Sequence, residues 1–359
     1  MIEPLVVDGV ATTADLIDDV FARSGFNARR LAEAAKLYAR MVSGSTTVGL
    51  TLAGAMTPIG MSGVVISLIR AGFIDFIIST GANLYHDLHR PYGAPMMQGH
   101  PEADDNVLAE QGIARIYDTY IEDDATLLAT DRVILHAIRD FDSSKPFSSA
   151  DLHHALGKSV IRTAPHPEKS LLAVAAEYDV PVFTSSPGDS SVGMNLIVPH
   201  LFEAPVNLNP VLDVIETAAI VREAESNGVV IVGGGSPKNF YLQTQPTLSQ
   251  ILRDESKGGH DYVIQLTIDS PHWGGLSGAT LSEARSWGKI KDAQRNNVVV
   301  YSCASLTLPL LATYVLTRKS PRVPKRLYAQ IGDAVGALKA AASSNPLFRQ
   351  DYAEIFEIG

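Results

Sequence analysis

The feature that most constrains the fold is a repeated alternation of short apolar runs with longer amphipathic stretches. The apolar runs are rich in β-branched residues and are candidate strands: Val48–Ala53, Ile74–Ser79, Val180–Thr184, Val229–Val232, Tyr262–Thr267 and Val298–Ser302. Helical patterns lie between them, at Ser62–Ala71, Asp124–Arg139, Leu171–Tyr178, Val211–Ser226, Leu281–Lys289 and Leu306–Thr317. Because this alternation is typical of a parallel sheet covered by helices on both faces, we predict an α/β, Rossmann-like fold.

The same pattern predicts one large domain rather than two. Two segments rich in glycine, proline and polar residues, Tyr92–Asp105 and Thr163–Lys169, interrupt it and are expected to be surface loops. The strand pattern resumes in the same style after both, which favours insertions over linkers. We expect a helical N-terminal extension over residues 1–45, a core over 46–318 and a helical C-terminal segment over 319–359.

The segment Thr46–Ile69 has no charged residue and is long enough to cross a bilayer. Glycines and a proline interrupt it, however, and a buried strand, a turn and a helix explain it better, because buried parallel strands are continuously apolar. The N-terminus carries early acidic residues and no basic segment before an apolar stretch, which does not fit a signal peptide. We therefore expect a cytoplasmic protein without membrane association.

The balance of charge limits the possible partners. The net charge is −10, from 29 Lys and Arg against 39 Asp and Glu. Nucleic acid is not an expected partner, because phosphate binding needs a basic face, whereas an acidic protein attracts cations such as polyamines. Cys303 is the single cysteine, so an intrachain disulfide is impossible. A catalytic thiol is the minor alternative for this residue.

Glycines follow several of the predicted strands. They are Gly54, Gly81, Gly188 and the run Gly233–Gly235. Ligands of open parallel sheets bind beyond the carboxyl ends of the strands, where glycine lets the backbone approach a phosphate or a ring. The set indicates a nucleotide cleft, although the triple glycine is not a G-x-G-x-x-G fingerprint and a tight turn is its alternative interpretation.

The densest group of reactive side chains lies between Asp269 and Lys289. It contains both tryptophans of the chain. A lysine must be neutral to act as a nucleophile, and desolvation beside an indole such as Trp287 would lower its pKa. Trp273 and Gly274 could form a second wall. The alternative is ordinary: Glu283 completes a capping box with Thr280, and Lys289 is a solvated cation at a helix end.

Two further polar groups have open interpretations. His86 and His89 stand three residues apart, on one face of a helix, but no third ligand is evident nearby, so no metal site is predicted. Asp189, in the segment PGDSSVG, could bind a ribose or cap a helix.

Five segments resemble, in order, motifs of the deoxyhypusine synthase family. They are Thr51–Gly63 (TLAGAMTPIGMSG), Ser79–Leu88 (STGANLYHDL), Val180–Gly193 (VPVFTSSPGDSSVG), Gly228–Asn239 (GVVIVGGGSPKN) and Ser282–Gln294 (SEARSWGKIKDAQ). The last contains the tetrapeptide SWGK, which resembles the segment that carries the family's active-site lysine. The resemblance covers most of residues 46–311 and is thin between 90 and 178.

The resemblance implies an NAD-dependent transferase. In that family NAD takes a hydride from spermidine, diaminopropane leaves, and a lysine carries the butylamine fragment to an acceptor amine. By position, the resemblance gives the covalent role to Lys289 and the amine pocket to Glu283 and Trp287. It places NAD contacts at strand ends: Gly54, Ala55, Met56, Thr57, Pro58, Thr80, Gly81, Ala82, Asp189, Gly234 and Ala304. It also implies a homotetramer with active sites at subunit interfaces.

The chain departs from the family pattern on the substrate side. Asn239 replaces a catalytic histidine, and asparagine cannot act as a general base. Met194 and Leu276 replace acidic residues, and His86 replaces a glutamate that follows the second cofactor motif. The cofactor side therefore matches the family better than the substrate side does.

These departures lead to three hypotheses. The first is aminobutyl transfer to a small diamine such as putrescine, as in homospermidine synthases of this family, with His86 or His272 supplying the missing base and Tyr85 and Met194 as further candidate pocket residues. The second is a protein-modifying deoxyhypusine synthase. The third is an NAD- or polyamine-binding protein without turnover.

Overall fold

The main sheet has six parallel strands in the order β6-β2-β1-β7-β8-β9. The structure, a computed structural model, describes residues 3–122, 126–139, 141–142, 144–292 and 294–356. The strands of this sheet are β1 Thr47–Leu52, β2 Phe76–Ser79, β6 Val182–Thr184, β7 Asn227–Val232, β8 Tyr262–Thr267 and β9 Asn297–Tyr301. All six predicted strands are confirmed, each within two residues of its predicted ends.

Helices cover both faces of this sheet, which confirms the predicted Rossmann-like α/β fold. The α-helices are α1 Thr13–Asp15, α2 Phe26–Met41, α3 Ser62–Arg70, α4 Gly81–Asp87, α5 Asp105–Glu110, α6 Leu128–Ile138, α7 Ser149–Thr163, α8 Leu171–Glu177, α9 Ser191–Asn195, α10 Ile197–Leu201, α11 Pro210–Glu223, α12 Gly235–Pro246, α13 Leu281–Ser286, α14 Ala304–Arg318, α15 Ile331–Ser344 and α16 Pro346–Phe356. The predicted helix start at Asp124 lies outside the described residues.

The strands are apolar on both faces because each face packs against its own core. Along β7, Val230 and Val232 join the core that contains α2, α3, α8 and α14. Val229 and Ile231, which point the other way, join the core built around α11 and α12. A strand buried on both sides has no polar alternation, which explains why continuous apolar runs were a reliable signal here.

A second, small sheet was not predicted. It is antiparallel, with the order β3-β5-β4, and consists of β3 Met96–Gln98, β4 Ile113–Ile116 and β5 Thr119–Glu122. β3 lies inside Tyr92–Asp105, so the prediction of a loop there is wrong. The glycines and prolines of this segment flank a strand of only three residues, which is too short to show a period.

The helix predicted over Leu281–Lys289 is shorter than expected. α13 ends at Ser286, and Gly288 adopts a left-handed conformation with φ of 68°. A left-handed glycine just after a helix is a common stop signal, because glycine alone carries no Cβ penalty there. Lys289 therefore leaves the helix and enters an extended segment, where the backbone of Ile290 bridges to that of His260.

Helix α2 and the segment from Arg322 to α15 both pack on the core. In the N-terminal region Asn27 of α2 donates a 2.6 Å hydrogen bond to the carbonyl of Tyr301. In the C-terminal region Arg322 binds the buried carboxylate of Asp75, and α15 packs on α11. The division into an extension, a core and a C-terminal segment stays a prediction. Among the described residues, no helix is long and apolar enough to cross a membrane.

Candidate active site

Lys289 lies in a cavity of about 200 Å³ between α12 and α13. Its Nζ lies 3.0 Å from Oδ1 of Asn239, in the second turn of α12, and 5.9 Å from the ring centroid of Trp287. That distance is within the range of a cation–π contact. Glu283 also lines the cavity, so the structure brings together four of the sequence-predicted residues.

The environment of Lys289 favours a neutral amine. Burial lowers its pKa below the usual value for lysine, while the carboxylate of Glu283 opposes part of this shift. The neighbour at hydrogen-bond distance is the neutral amide of Asn239, which adds no charge that would hold the proton. A neutral lysine is nucleophilic and can form an imine with a carbonyl-like carbon.

A second lysine, Lys238, lies behind the first. It is buried, and its Nζ donates to the side chain of Gln265 and to the carbonyls of Ser277 and Ala279, at 3.0, 3.3 and 2.6 Å. Burial lowers the pKa of Lys238 to about 8; the carboxylates of Glu283 and Asp269 oppose this shift and the charge of Lys289 adds to it. Lys238 thereby fixes the loop that forms one wall of the cavity.

The triple glycine is joined to the same loop. The backbone N–H of Gly235 donates to Oγ of Ser277 at 2.9 Å. A Cβ at Gly234 would lie 2.5 Å from Cα of Ser277, so only glycine fits the approach of the two backbones. Gly233 has φ of 73° and Gly235 has φ of 58°, both in the left-handed region. The three glycines therefore form a tight turn, and the turn packs against the loop of the Lys289 cavity.

The first candidate cofactor loop, Gly54–Pro58, is held by one buried side chain. Oδ1 of Asn83 accepts from the N–H groups of Met56 and Thr57, both at 3.0 Å, and Nδ2 donates to the carbonyl of Gly54 at 2.8 Å. Nδ2 also donates to Oγ1 of Thr80, at 3.0 Å. Asn83 thus locks the loop after β1 to the segment after β2.

Arg90 completes this brace, because its guanidinium donates to the carbonyls of Thr57 and Pro58 at 2.6 and 2.5 Å. Asn83 and Arg90 were not singled out from the sequence. Asn83 lies inside the second family-like motif, but its partners in the first loop are 26 or more residues away in the chain, so local pattern gave no signal for its role there.

A groove of about 880 Å³ runs along this loop at the carboxyl edge of the sheet. Its lining includes Ala55, Met56 and Pro58 of the loop, and Cys303 and Ser305 at the start of α14. Its volume falls within the range of roughly 300–1,000 Å³ that is usual for small-molecule and cofactor sites.

The remaining predicted cofactor residues lie at the same edge. Thr80, Gly81 and Ala82 open α4, and Ala304 is the first residue of α14. A Cβ at Gly81 would clash with Ser190 of the loop that carries the exposed Asp189. Glycine at position 81 therefore lets the loop after β6 approach the start of α4, and strand ends gathered at one edge in this way are compatible with bound NAD.

The histidines of the second motif form a hydrogen-bonded chain and do not line the Lys289 cavity. Nδ1 of His86 lies 2.9 Å from Nε2 of His89, and Nδ1 of His89 lies 2.8 Å from Oγ1 of Thr130. Burial, with a smaller contribution from Arg90, lowers the pKa of His86 to about 4. Tyr85 is buried beside them and donates to the carbonyl of Leu127 and to the carboxylate of Asp131. Among the described residues, no group of histidine, cysteine, aspartate and glutamate side chains is arranged to hold a metal ion.

Other candidate residues do not line the Lys289 cavity. Met194, on α9, is 62 % exposed, and Trp273 is 74 % exposed. Gly274 has φ of 75° and ends the short 3₁₀ turn of Pro271–Trp273. His272 is hydrogen-bonded to Ser270 rather than to a residue of the cavity. The structure therefore places these residues on the surface of the isolated chain, and their roles stay predictions.

Comparison with known proteins identifies the family. The deoxyhypusine synthase family matches residues 15–315. A "Deoxyhypusine synthase-like protein" of Nostoc punctiforme is 44% identical over 337 residues, which cover 91% of this chain and 85% of that protein. The chain belongs to the deoxyhypusine synthase family. A "Probable deoxyhypusine synthase 2" of Methanosarcina acetivorans is 39% identical over 302 residues, covering 84% of this chain and 86% of the other.

A solved structure supports the fold. A crystal structure attributed to a deoxyhypusine synthase of Entamoeba histolytica superposes with a TM-score of 0.60 at 15% identity, covering 90% of this chain and 99% of the other. Membership of the deoxyhypusine synthase family implies aminobutyl transferase chemistry, for which the family generally uses NAD and spermidine. The cavity at Lys289 and the groove at Gly54–Pro58 are the places in this chain where that chemistry can be sought.

Proposed function

We propose that this chain is an NAD-dependent aminobutyl transferase that uses spermidine as donor and a small diamine as acceptor. The observation that carries the proposal is Lys289, a half-buried amine with a lowered pKa, set between the indole of Trp287 and the amide of Asn239. When bound, NAD supplies the hydride acceptor for oxidation of the carbon beside the secondary amine.

The protein side of the reaction needs few groups. The neutral Nζ of Lys289 attacks the imine carbon of the oxidised donor, and the bond from that carbon to the diaminopropane nitrogen breaks. The butylamine fragment is then held as an imine of Lys289. Attack by the acceptor amine frees Lys289, and return of the hydride gives the secondary amine product. Glu283 and Trp287 line the same cavity as Lys289 and would hold the cationic ends through the carboxylate and the face of the indole.

The departures from the family pattern favour a small acceptor. Leu276 lines the cavity at a position where the family pattern has an acidic residue, and Leu242 is a second apolar residue of the lining. Among the described residues, Glu283 is therefore the one acid in the lining of the cavity. A short diamine needs fewer fixed charges than a protein loop that docks a lysine. The protein-modifying reaction is therefore the second outcome that the experiment must detect.

We further propose that the active site is completed by a second copy of the chain within a homotetramer. The Lys289 cavity and the cofactor groove share no lining residue in the described part of the chain. Ile268, Trp273 and Trp287, close to the cavity in sequence or in space, are all more than 60 % exposed in the isolated chain. Large apolar side chains that are this exposed in one region of the chain favour an interface.

The direct test is to trap the covalent intermediate. The protein is incubated with NAD and labelled spermidine, reduced with borohydride and digested, and the label is located by mass spectrometry. We expect label on Lys289, none in Lys289→Arg, and normal labelling in Lys291→Arg, a matched variant that keeps its ion pair with Asp261. Homospermidine should appear when putrescine is added. Absence of label at Lys289 together with no NADH would contradict the proposal.

Subunit sharing has its own test. Two variants are needed, Lys289→Ala and a substitution in the cofactor loop Gly54–Pro58. Each is expected to be inactive alone. If each site draws Lys289 and the cofactor groove from different subunits, mixed oligomers contain some sites with both intact halves. Activity that reappears on mixing and subunit exchange would support sharing, and continued inactivity of verified mixed oligomers would contradict it.

A further inference from the structure

Lys238 and Lys289 reach the same cavity from two different parts of the fold. Lys238 lies in the first turn of α12 and Lys289 in the extended segment after α13, and both line the cavity of about 200 Å³. Two ammonium groups in one partly buried cavity repel each other, so the pair favours the loss of one proton. The hydrogen bonds of each amine indicate which lysine loses it.

The side-chain amide of Gln265 has one favourable orientation. Its Nε2 donates to the carbonyls of Gly233 and Ser277, at 3.0 and 2.8 Å. Because a carbonyl can only accept, exchanging the nitrogen and oxygen of this amide would set its oxygen against two other oxygens. Oε1 of Gln265 therefore points to Nζ of Lys238, 3.0 Å away, and accepts a hydrogen from it.

Lys238 needs three hydrogens to satisfy its neighbours. Its Nζ donates to Oε1 of Gln265 and to the carbonyls of Ser277 and Ala279, and Lys238 is only 3 % exposed. All three partners are acceptors in this arrangement, and only the ammonium form of lysine has three hydrogens. A neutral amine would leave one buried oxygen facing the nitrogen lone pair, which is unfavourable. The hydrogen bonds therefore hold the proton on Lys238.

Lys289 can lose its proton without losing a hydrogen bond. Among the described residues, the acceptor at its Nζ is Oδ1 of Asn239, at 3.0 Å. A neutral amine keeps two hydrogens, so this bond can persist while the lone pair becomes available for attack. Once Lys289 is neutral, its charge no longer lowers the pKa of Lys238.

The carboxylates around the two amines do not reverse this order. Glu283 of α13 favours the charged form of both lysines, so it does not select between them. Asp269, which follows β8, favours the charged form of Lys238. The remaining proton of the pair therefore belongs on Lys238.

We propose that Lys238 is a positioning residue whose ammonium, held by three acceptors, keeps the amine of Lys289 neutral at a pH where Lys238 is still charged. A fixed positive charge beside an amine disfavours a second ammonium. The inference rests on the proposed function for the use of that amine in imine formation, but the order of proton loss is a property of the chain alone. In this role Lys238 acts through Lys289 and does not react with the donor.

The first experiment follows both amines in the native protein. Lysine labelled with ¹⁵N at Nζ is incorporated, and NMR spectra recorded between about pH 6 and pH 10 distinguish an ammonium from an amine. Lys238→Arg and Lys289→Arg identify the two signals. We expect the Lys289 signal to become that of an amine at a lower pH than the Lys238 signal. The reverse order overturns the proposal.

The second experiment removes the charge of Lys238. Competitive acylation followed by mass spectrometry gives the pH midpoint of Lys289 reactivity without any turnover. We expect Lys238→Met to raise this midpoint by about 1 pH unit and Lys238→Arg to leave it near the native value. The matched control is Lys257→Met, because Lys257 donates to the carbonyl of Ala224 and does not line the cavity. An unchanged midpoint in a folded Lys238→Met variant overturns the proposal.

A loosened loop would also raise the midpoint, by letting water reach Lys289, and a third variant separates the two causes. Gln265→Met removes one acceptor of Lys238 and the donor to Gly233 and Ser277, but it leaves the charge of Lys238 in place. We expect the Lys289 midpoint to stay within about half a pH unit of the native value. A rise as large as that in Lys238→Met would mean that the loop controls Lys289, and it overturns the proposal.

The proposed function and the role of Lys238 fail separately. The proposed function fails in the trapping experiment, if no label forms on Lys289. A protein without label in which Lys289 still loses its proton before Lys238 retains the electrostatic role of Lys238. Label on Lys289 together with an unchanged midpoint in Lys238→Met retains the transferase and removes that role. Where Lys238→Met does not fold, the order of proton loss in the native protein still decides.

Discussion

The amino group of Lys289 and the side-chain oxygen of Asn239 lie 3.0 Å apart, although the two residues are 50 positions apart in the chain. Lys289 reaches this place from the extended segment after α13, and Asn239 from α12. The amide accepts one hydrogen from the lysine but carries no negative charge that would raise the pKa of the lysine. Burial therefore lowers this pKa without opposition from Asn239. The charge state of the candidate nucleophile therefore depends on the residue at position 239.

Replacing Asn239 by aspartate should protonate Lys289. A carboxylate at this distance favours the ammonium form and should raise the lysine pKa by about 1–2 units. The neutral fraction at a given pH then falls, and the pH at which the amine becomes reactive moves upward. The measurement is competitive acylation of Lys289 at several pH values, followed by mass spectrometry, which does not depend on turnover.

Asn239→Ala is the control, because it removes the amide without adding charge and should leave the acylation midpoint of Lys289 within about half a unit of the native value. Lys291, which is paired with Asp261, gives an internal reference in the same digest. Equal midpoints in Asn239→Asp and the native protein would show that the two side chains do not interact in solution.

Asn83→Asp should weaken NAD binding through the first cofactor loop. Aspartate can still accept from the N–H groups of Met56 and Thr57, but it cannot donate to Gly54 and Thr80 as the amide does. Each lost hydrogen bond costs about 0.5–1.5 kcal/mol, so we expect NAD affinity to fall roughly tenfold. Calorimetric titration with NAD measures this.

The matched control is Asn106→Asp, an exposed asparagine whose side chain is outside the candidate site. It should bind NAD as the native protein does. Thermal unfolding of both variants separates a local effect on the loop from a loss of folded protein. Native affinity in a folded Asn83→Asp variant would mean that the loop is held well enough by Arg90.

The sequence pattern predicted the sheet because its cause is local. Strands such as β1 and β7 are buried on both faces, so every residue is apolar and the run is visible without knowing its neighbours. The glycines at the strand ends were equally visible. The small sheet was missed because β3 has only three residues, and a strand of that length gives no period to detect.

The site was only partly predictable for a different reason. The residue pattern singled out Lys289 and Glu283 but left an ordinary interpretation open for each, the resemblance implied their roles, and the structure places both in the lining of one cavity. Lys238 and Asn83 were missed because their roles depend on partners far away in the chain, Ala279 for the first and Gly54 for the second. A polar residue near a helix start has many ordinary explanations, and only the fold shows which backbone groups it holds.

Gly157→Ala should destabilise the contact between α7 and α8. A Cβ at Gly157 would clash with the carbonyl of Leu172 and lie 2.7 Å from Cβ of Ala176. Because the clash involves the backbone of Leu172, it cannot be relieved by moving a side chain, and we expect a loss of about 1–3 kcal/mol in the free energy of unfolding.

The control is Gly336→Ala, in the exposed middle of α15, where a Cβ meets nothing within 4 Å. Its higher helix propensity should raise stability by up to about 1 kcal/mol. Urea unfolding of both variants measures the contrast, and equal effects would contradict the proposed packing.

Glu216→Gln should stabilise the protein at about pH 8 but not at about pH 4. Burial raises the pKa of Glu216 to about 8, with Ser148 opposing the shift and the charges of Asp151 and Asp213 adding to it. Oε2 of Glu216 is buried without a partner among the described residues. A carboxyl whose pKa is higher in the folded state than in the unfolded state binds more protons when folded. Its stabilising effect is therefore fully present below the unfolded pKa of 4.5 and is lost as the pH rises from there through about 8.

Glutamine has the shape of the protonated glutamic acid at every pH, so the variant avoids this loss. We expect its unfolding midpoint in urea to exceed that of the native protein at pH 8, by the equivalent of about 1–3 kcal/mol, the usual cost of a buried polar group without a partner. The difference should shrink as the pH falls and vanish below the ordinary glutamate pKa of 4.5, because Glu216 is then protonated in both the folded and the unfolded chain. Glu177→Gln, at an exposed position, should show no pH-dependent difference. A variant no more stable than the native protein at pH 8 would mean that Glu216 is solvated or paired in solution. The negative charges of Asp151 and Asp213 would then not destabilise the folded protein through Glu216 at alkaline pH.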